Sequence, residues 1–278
     1  MIVLTFTLVL ILGAAIAGFI GSLTGLGGGV VLIPLLTLVF KVDIHYAIGT
    51  SLISVIATSS GAAAAYVKEG ITNIRLGMFL ELATTIGAIM GAVLAKHVST
   101  SGIAIVFGII LLISAATSFI HHEAKIDGEL PGRLSNWLRL NNEYPTETGM
   151  QPYTVKHVTG GFVMMNVAGI VSGLLGIGSG ALKVIAMDRI MRIPFKVSTT
   201  TSNFMIGVTA AVSAGIYLRE GYIDPGLSMP VVLGVLLGAF IGSKILFKAK
   251  TRVLKFLFAI IISILAVEMI YNGITHKL

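Results

Sequence analysis

The feature that most constrains this chain is a series of long apolar runs that no water-exposed surface could accommodate. With short interruptions allowed, they occupy 3–23, 47–66, 76–95, 102–120, 158–177, 205–218, 227–246 and 256–271. A helix rises about 1.5 Å per residue and the hydrocarbon core of a bilayer is about 30 Å thick, so runs near or above about 18 residues read as membrane spans. The shorter run at 205–218 is extended by the polar but uncharged residues 199–203. Charged residues make up 11% of the 278 positions, about half the share found in ordinary soluble domains. The expectation is an all-α polytopic integral membrane protein with about 8–10 helical segments.

The net charge of +7 needs no nucleic-acid partner, because the basic residues fall between the spans, where a positive-inside bias places them. The chain has no cysteine, which excludes disulfides, thiolate metal sites and thiol nucleophiles. Residues 2–12 are apolar with no basic segment before them, so the first run is read as part of the mature fold and not as a cleaved leader.

Shifting the chain against itself by 151 residues aligns four separate features without a gap. Gly25-Leu-Gly-Gly-Gly29 falls on Gly176-Ile-Gly-Ser-Gly180, and Gly49-Thr-Ser51 falls on Thr200-Thr-Ser202. Tyr66-Val-Lys-Glu-Gly70 falls on Tyr217-Leu-Arg-Glu-Gly221, and Gly87-Ala-Ile-Met-Gly91 on Gly238-Ala-Phe-Ile-Gly242. One such match means little in glycine-rich membrane sequence, but four in fixed register mark an internal repeat. The chain is therefore divided into a first transmembrane repeat (1–122), a linker (123–155) and a second transmembrane repeat (156–278).

Charge distribution chooses between a parallel and an inverted repeat. If the glycine-interrupted stretches 3–40 and 157–187 each cross once, the two sides carry ten and eight Lys/Arg, which is no bias. If each enters and returns as a re-entrant or two-legged hairpin, one side collects fourteen basic residues, including Lys68, Arg75, Arg139, Lys156, Arg192 and Lys196. The other side keeps Lys41, Lys96, Arg219 and Lys277, with Lys183 inside the motif. The second arrangement obeys the positive-inside rule and makes the repeat inverted, with the linker cytoplasmic and both termini outside. Within the linker, Trp137 among Leu134, Leu138 and Leu140 fits either an interfacial amphipathic segment or a solvated loop.

Inverted repeats with broken helices place substrate near the bilayer midplane, where half-helix N-termini present free N–H groups and positive dipole ends to anions. The glycine clusters are the candidate breaks, and Gly27, Gly28, Gly29, Gly178, Ser179 and Gly180 the candidate binding residues there. Isolated glycines such as Gly87, Gly91, Gly238 and Gly242 are read as helix-packing surfaces. Thr50-Ser51 and Thr201-Ser202-Asn203, each near the start of a span, can cap a helix or offer donors to substrate oxygens, and both readings can hold. Lys183, whose counterpart in the first half is Leu32, costs about 2.5–3.5 kcal/mol at membrane depth on insertion scales. It either leans over the break as an anion ligand or snorkels to an interface. Glu81 is a candidate for proton coupling and Glu268 a weaker one, each against the alternative of an internal pair or a wet span edge. The six histidines fall at span edges, no metal-ligand spacing or Ser/His/Asp arrangement stands out, and no P-loop is present. An enzyme, a cofactor and a metal site are accordingly not expected.

The pattern Gly25-x-Gly27-Gly28-Gly29, Pro34, Ala47-x-Gly49-Thr50-Ser51-Leu52 resembles the sulfite exporter TauE/SafE family. The resemblance continues through Gly176-x-Gly178-Ser179-Gly180-Ala-Leu-Lys183-Val and 199–204, and covers nearly the whole chain outside the linker. It implies a prokaryotic cytoplasmic (inner) membrane transporter that exports sulfite or organosulfonates such as sulfoacetate, driven by an ion gradient. Ser179 stands where members often repeat a third glycine, and the second half lacks the counterpart of Pro34, so the two half-sites are unequal. The alternative function is an anion channel, or a permease importing a related anion. The partners expected are a small anionic substrate and the lipid bilayer, with a homodimer left open.

Overall fold

A computed structural model describes residues 2–24, 28–117, 133–146, 149–246 and 251–276. Each apolar run becomes a helix. The first half is built from α1 (Ile2–Thr24), a short α2 (Gly29–Pro34) that continues into a π-helical turn (Leu35–Val39), then α3 (Ile44–Lys68), α4 (Ile74–Ala95) and α5 (Thr100–Thr117). The second half repeats that order as α7 (Val158–Leu175), α8 (Gly180–Ile185) with a π-helical turn (Ala186–Ile190), α9 (Phe195–Arg219), α10 (Pro225–Leu246) and α11 (Thr251–Ile274). Between them lie α6 (Arg133–Trp137) and an antiparallel hairpin, β1 (Asn142–Thr146) with β2 (Gly149–Tyr153). Among the described residues, five helices, carrying Leu4–Gly21, Ile74–Ala95, Val158–Leu175, Phe195–Arg219 and Pro225–Gly242, are long and apolar enough to cross a membrane. The outer face of α4 exposes Met78, Leu82, Ile86, Met90 and Val93, a continuous apolar stripe suited to lipid and not to water. The protein is an all-α, polytopic membrane protein.

The 151-residue shift seen in sequence recurs in local geometry. Elements α2, the first π turn, α3, α4 and α5 start 151 residues before α8, the second π turn, α9, α10 and α11. Lys41 and Arg192, which occupy equivalent positions after the π turns, share a left-handed backbone (φ 56 and 55), as do Gly70 and Gly221 (φ 72 and 79). The hydrogen bond from Val42 N–H to Leu36 O (3.0 Å) has its counterpart from Ile193 N–H to Met187 O (3.0 Å). Pro34 precedes the first π turn, yet its counterpart Ile185 precedes an equal turn, so proline is not the cause of the π geometry.

Packing between the halves is reciprocal: α1 lies against α10, and α7 against α4. These close crossings depend on missing side chains. A Cβ at Gly87 would run into the Asn166 carbonyl oxygen, and one at Gly238 into that of Ala15, which is the residue equivalent to Asn166. Each glycine-interrupted stretch folds back on the helix before it. Gly13 faces Leu35 and Phe40, and Phe40 meets Phe6 edge-on at 5.9 Å, so the chain returns toward the start of α1. Likewise Gly160 faces Ile190, and Lys156 N–H donates to Met191 O (3.0 Å), returning the chain to the start of α7.

The two ends of the bundle differ. At one end, Asn73 is a buried polar hub. Its side chain accepts from Leu76 N–H as the N-cap of α4 and donates to Leu140 O (2.9 Å) and Tyr153 Oη (2.8 Å), while its own N–H donates to Thr201 Oγ1 (3.1 Å). Part of the linker is therefore docked through Leu140 and Tyr153, both buried beside Val155, Met187 and Met191, while Trp137 stands exposed. Burial pushes the Tyr153 phenol up to about 12, so it stays neutral in that contact. At the other end, His45 stacks on Tyr222 at 4.9 Å and Lys96 pairs with Glu220 at 2.5 Å.

Candidate functional site

The second break is formed by Gly176, Gly178 and Ser179, all left-handed (φ 66, 71 and 46) between α7 and α8. Glycine adopts this backbone freely; Ser179 does so against its Cβ, and its side chain makes no capping bond. In the first break, Gly25 and Gly27 lie outside the described residues. Gly28, the position equivalent to Ser179, is right-handed (φ −64) and buried. The two breaks touch. A Cβ at Gly29 would sit 3.2 Å from Gly176 O and 2.5 Å from Ser51 Oγ, and Ser51 Oγ donates to Gly176 O at 2.9 Å. Ser202 Oγ donates to Gly180 O at 3.2 Å. Both serines thus brace the breaks from α3 and α9.

The neighbouring hydroxyls have other partners. Thr50 Oγ1 and Ser228 Oγ lie 3.2 Å apart across α3 and α10, and Thr201 accepts from Asn73. None of them caps a helix: α3 starts six residues before Thr50, and the α9 N-cap is Pro194. Asn203 is half-buried and makes no hydrogen bond to another described residue.

Lys183 and Glu81 meet at a residue that sequence reasoning did not single out. Lys183, fully buried on α8, donates to Thr209 Oγ1 at 2.6 Å, and Thr209 in turn donates to Glu81 Oε1 at 2.6 Å. The same hydroxyl lies 2.9 Å from Met205 O, but it has one proton, and the carboxylate is the stronger acceptor. The ammonium and carboxylate therefore share one hydroxyl, deep within α8, α9 and α4. Snorkelling is ruled out for Lys183 by its complete burial. The signal in the sequence was the presence of two mid-span charges of opposite sign; Thr209 itself looks like any helix threonine bonded to its own preceding turn. Glu268, by contrast, lies on the exposed face of α11.

Polar capacity remains unspent around this pair. Glu81 Oε2 and Ser179 Oγ are buried without a hydrogen-bond partner, and Lys183 uses one of its three N–H donors on a described partner. Buried polar atoms in native proteins are nearly always paired, so such groups are candidates for contact with a ligand, an ion or water. Ser179, Gly180 and Leu182 also line a narrow cleft shared with Val30, Ile110 and Ser114. Among the described residues, no three His, Cys, Asp or Glu side chains gather as metal ligands.

Comparison with known proteins agrees with the motifs that carry this site. A family described as "Sulfite exporter TauE/SafE" matches residues 10–269, both breaks and Lys183 included. The chain belongs to the TauE/SafE family. It is similar to "Probable membrane transporter protein YunE" of Bacillus subtilis (28% identical, covering 98% of this chain and 99% of that one). It is also similar to "Probable membrane transporter protein YdhB" of the same organism (29%, 85% and 87%). A relative in Methanocaldococcus jannaschii, described in the same words, is 22% identical over 94% of each chain. No solved structure matches. A TauE/SafE chain of this build is a multi-pass membrane transporter, and the polar groups at the second break are its candidate substrate contacts.

Proposed function

We propose that this protein is a secondary transporter that exports a small sulfur oxyanion, sulfite or an organosulfonate such as sulfoacetate, across the prokaryotic cytoplasmic membrane. The observation that carries the reading is Lys183: a fully buried ammonium with donors to spare, one turn along α8 from a backbone break whose Ser179 hydroxyl has no partner. A sulfonate offers three acceptor oxygens and a negative charge, which suits an ammonium, hydroxyls and free N–H groups converging from one side. Gly28, Gly29, Gly178 and Gly180 bring backbone close, Ser51 and Ser202 brace the breaks, and Asn203 supplies a further donor. Gly27, Thr50 and Thr201 complete the proposed set. The fourteen-to-four basic asymmetry and the folding back of both hairpins support an inverted-topology repeat, with the linker cytoplasmic and both termini outside.

The test is uptake of labelled sulfite and sulfoacetate into vesicles carrying the purified protein and preloaded with unlabelled anion. Saturable exchange is the expected result. Current without saturable exchange would make the protein a channel, and no movement of either anion would remove the substrate class.

A further inference from the structure

The chemistry at Thr209 limits what can accompany an anion into this site. Lys183 and Glu81 together are neutral, and their charges are joined through a single hydroxyl. An anion that draws Lys183 away for its own ligation leaves a carboxylate with one oxygen on Thr209 and the other already without a partner. The site would then hold two negative charges against one positive charge. Removing an uncompensated charge from water is strongly unfavourable even after relaxation. Among the described residues, the one other charged group whose field reaches Glu81 is Lys183. The remaining titratable groups on the elements packed around it sit toward their ends. These are Arg75 on α4 and Lys96 just after it, His157 before α7, Asp188 and Arg189 in the turn after α8, and Lys196, Tyr217 and Arg219 on α9.

We propose that the anion and a proton are occluded together, the anion on Lys183 and the proton on Glu81. This inference rests on the anion-site reading above and adds its coupling. In the empty state, Lys183 Nζ donates to Thr209 and Thr209 donates to Glu81 Oε1. On loading, a proton from solvent binds the unpartnered Oε2, and the carboxylate becomes a neutral carboxylic acid. The ammonium releases Thr209 Oγ1 and turns its N–H groups to the anion. Thr209 keeps a partner throughout, since Met205 O lies 2.9 Å from its oxygen. Both the empty and the loaded site are then neutral for a monoanion, and the intermediate with an anion and an ionised Glu81 is the costly one. Thr209 is a positioning residue in this scheme, and a proton and an anion cross in the same direction, so for a monoanion the step is electroneutral and export is driven by the outward gradient of the anion itself and not by the proton gradient.

The experiment counts protons. Methanesulfonate and ethanesulfonate, both monoanions that do not titrate between pH 6 and 8, are titrated calorimetrically into the full-length protein in Tris and in imidazole. Sulfonate buffers are avoided because they belong to the proposed ligand class. The difference in heat between the two buffers gives the protons taken up per anion bound. One proton per anion is expected, with affinity falling about tenfold per pH unit as pH rises. Glu81→Gln, which keeps a hydrogen bond to Thr209, is expected to bind with no proton uptake and a flat pH profile. Anion binding with no proton uptake by the wild-type protein overturns the coupling and leaves the anion site standing. Failure of both probes to bind overturns the two readings together. The wild-type proton count decides the matter even if the Glu81 variant fails to fold.

Discussion

The two halves share a framework and differ in chemistry. Lys183 and its counterpart Leu32 are equally and completely buried, one turn into equivalent short helices. Thr209 and its counterpart Thr58 both hold the hydroxyl oxygen against the preceding turn, 2.9 Å from Met205 O and 3.0 Å from Ser54 O. Only Thr209 has an ammonium and a carboxylate to join, because Glu81 corresponds to Val232. Backbone features such as π turns, left-handed residues and glycine crossings thus recur in both halves, while the charged pair joined by a hydroxyl is found in the described residues at Lys183, Thr209 and Glu81 alone. The duplication supplies a place where two breaks meet, and a few side chains from one half and one from the other make that place polar.

This contrast can be broken or sharpened by paired substitutions. The largest effect is expected where the halves are alike. Gly87→Leu and Gly238→Leu each drive a side chain into a carbonyl oxygen of the crossing helix, and both are expected to abolish folded protein, read as loss of the monodisperse species on size exclusion. If only one of them does, the crossings are not equivalent. Next come Glu81→Ala and Val232→Ala. Removing Glu81 strands a buried ammonium and should cost about 3–5 kcal/mol, whereas trimming half-buried Val232 should cost about 1–2 kcal/mol. Thermal melts in detergent compare them, and equal shifts would mean that Lys183 does not need Glu81. The smallest effect belongs to the linker. Tyr153→Phe removes the acceptor for Asn73 Nδ2 and should cost about 1–2 kcal/mol, visible as faster amide exchange in β2. In the native protein the burial of Tyr153 adds a pH dependence of its own: its contribution is fully present below pH 10 and is lost as pH rises through about 12, where a phenolate would form out of water although Asn73 Nδ2 still donates to it.

Much of the framework was legible in the sequence, because apolar length and small-residue spacing are local properties. The runs at 3–23, 76–95, 158–177 and 227–246 lie within or closely along α1, α4, α7 and α10, and the register of 151 is the register of the helices. The linker hairpin was not legible. Pro145 and Pro152 sit inside its strands, where proline removes a ladder donor and argues against a strand; a two-stranded ribbon tolerates them because both strands are edges. The π turns left no signature either, since one follows proline and the other isoleucine. For the site, sequence marked Lys183 and Glu81 separately as charges out of place. Their approach through Thr209 depends on how α8, α9 and α4 are rotated against one another, and no spacing within a single helix reports that.

Ligand binding at the second break rests most directly on one comparison, a calorimetric titration of sulfoacetate into wild type, Lys183→Ala and Leu32→Met. Losing a charge-assisted hydrogen bond at a buried site should weaken binding by about 1.5–3 kcal/mol, roughly ten- to hundredfold. Lys183→Ala is expected to show that loss while remaining folded, and Leu32→Met, which conserves volume at the equivalent buried position, to bind as wild type does. Equal affinity in wild type and a folded Lys183→Ala protein would contradict the assignment of the anion to Lys183.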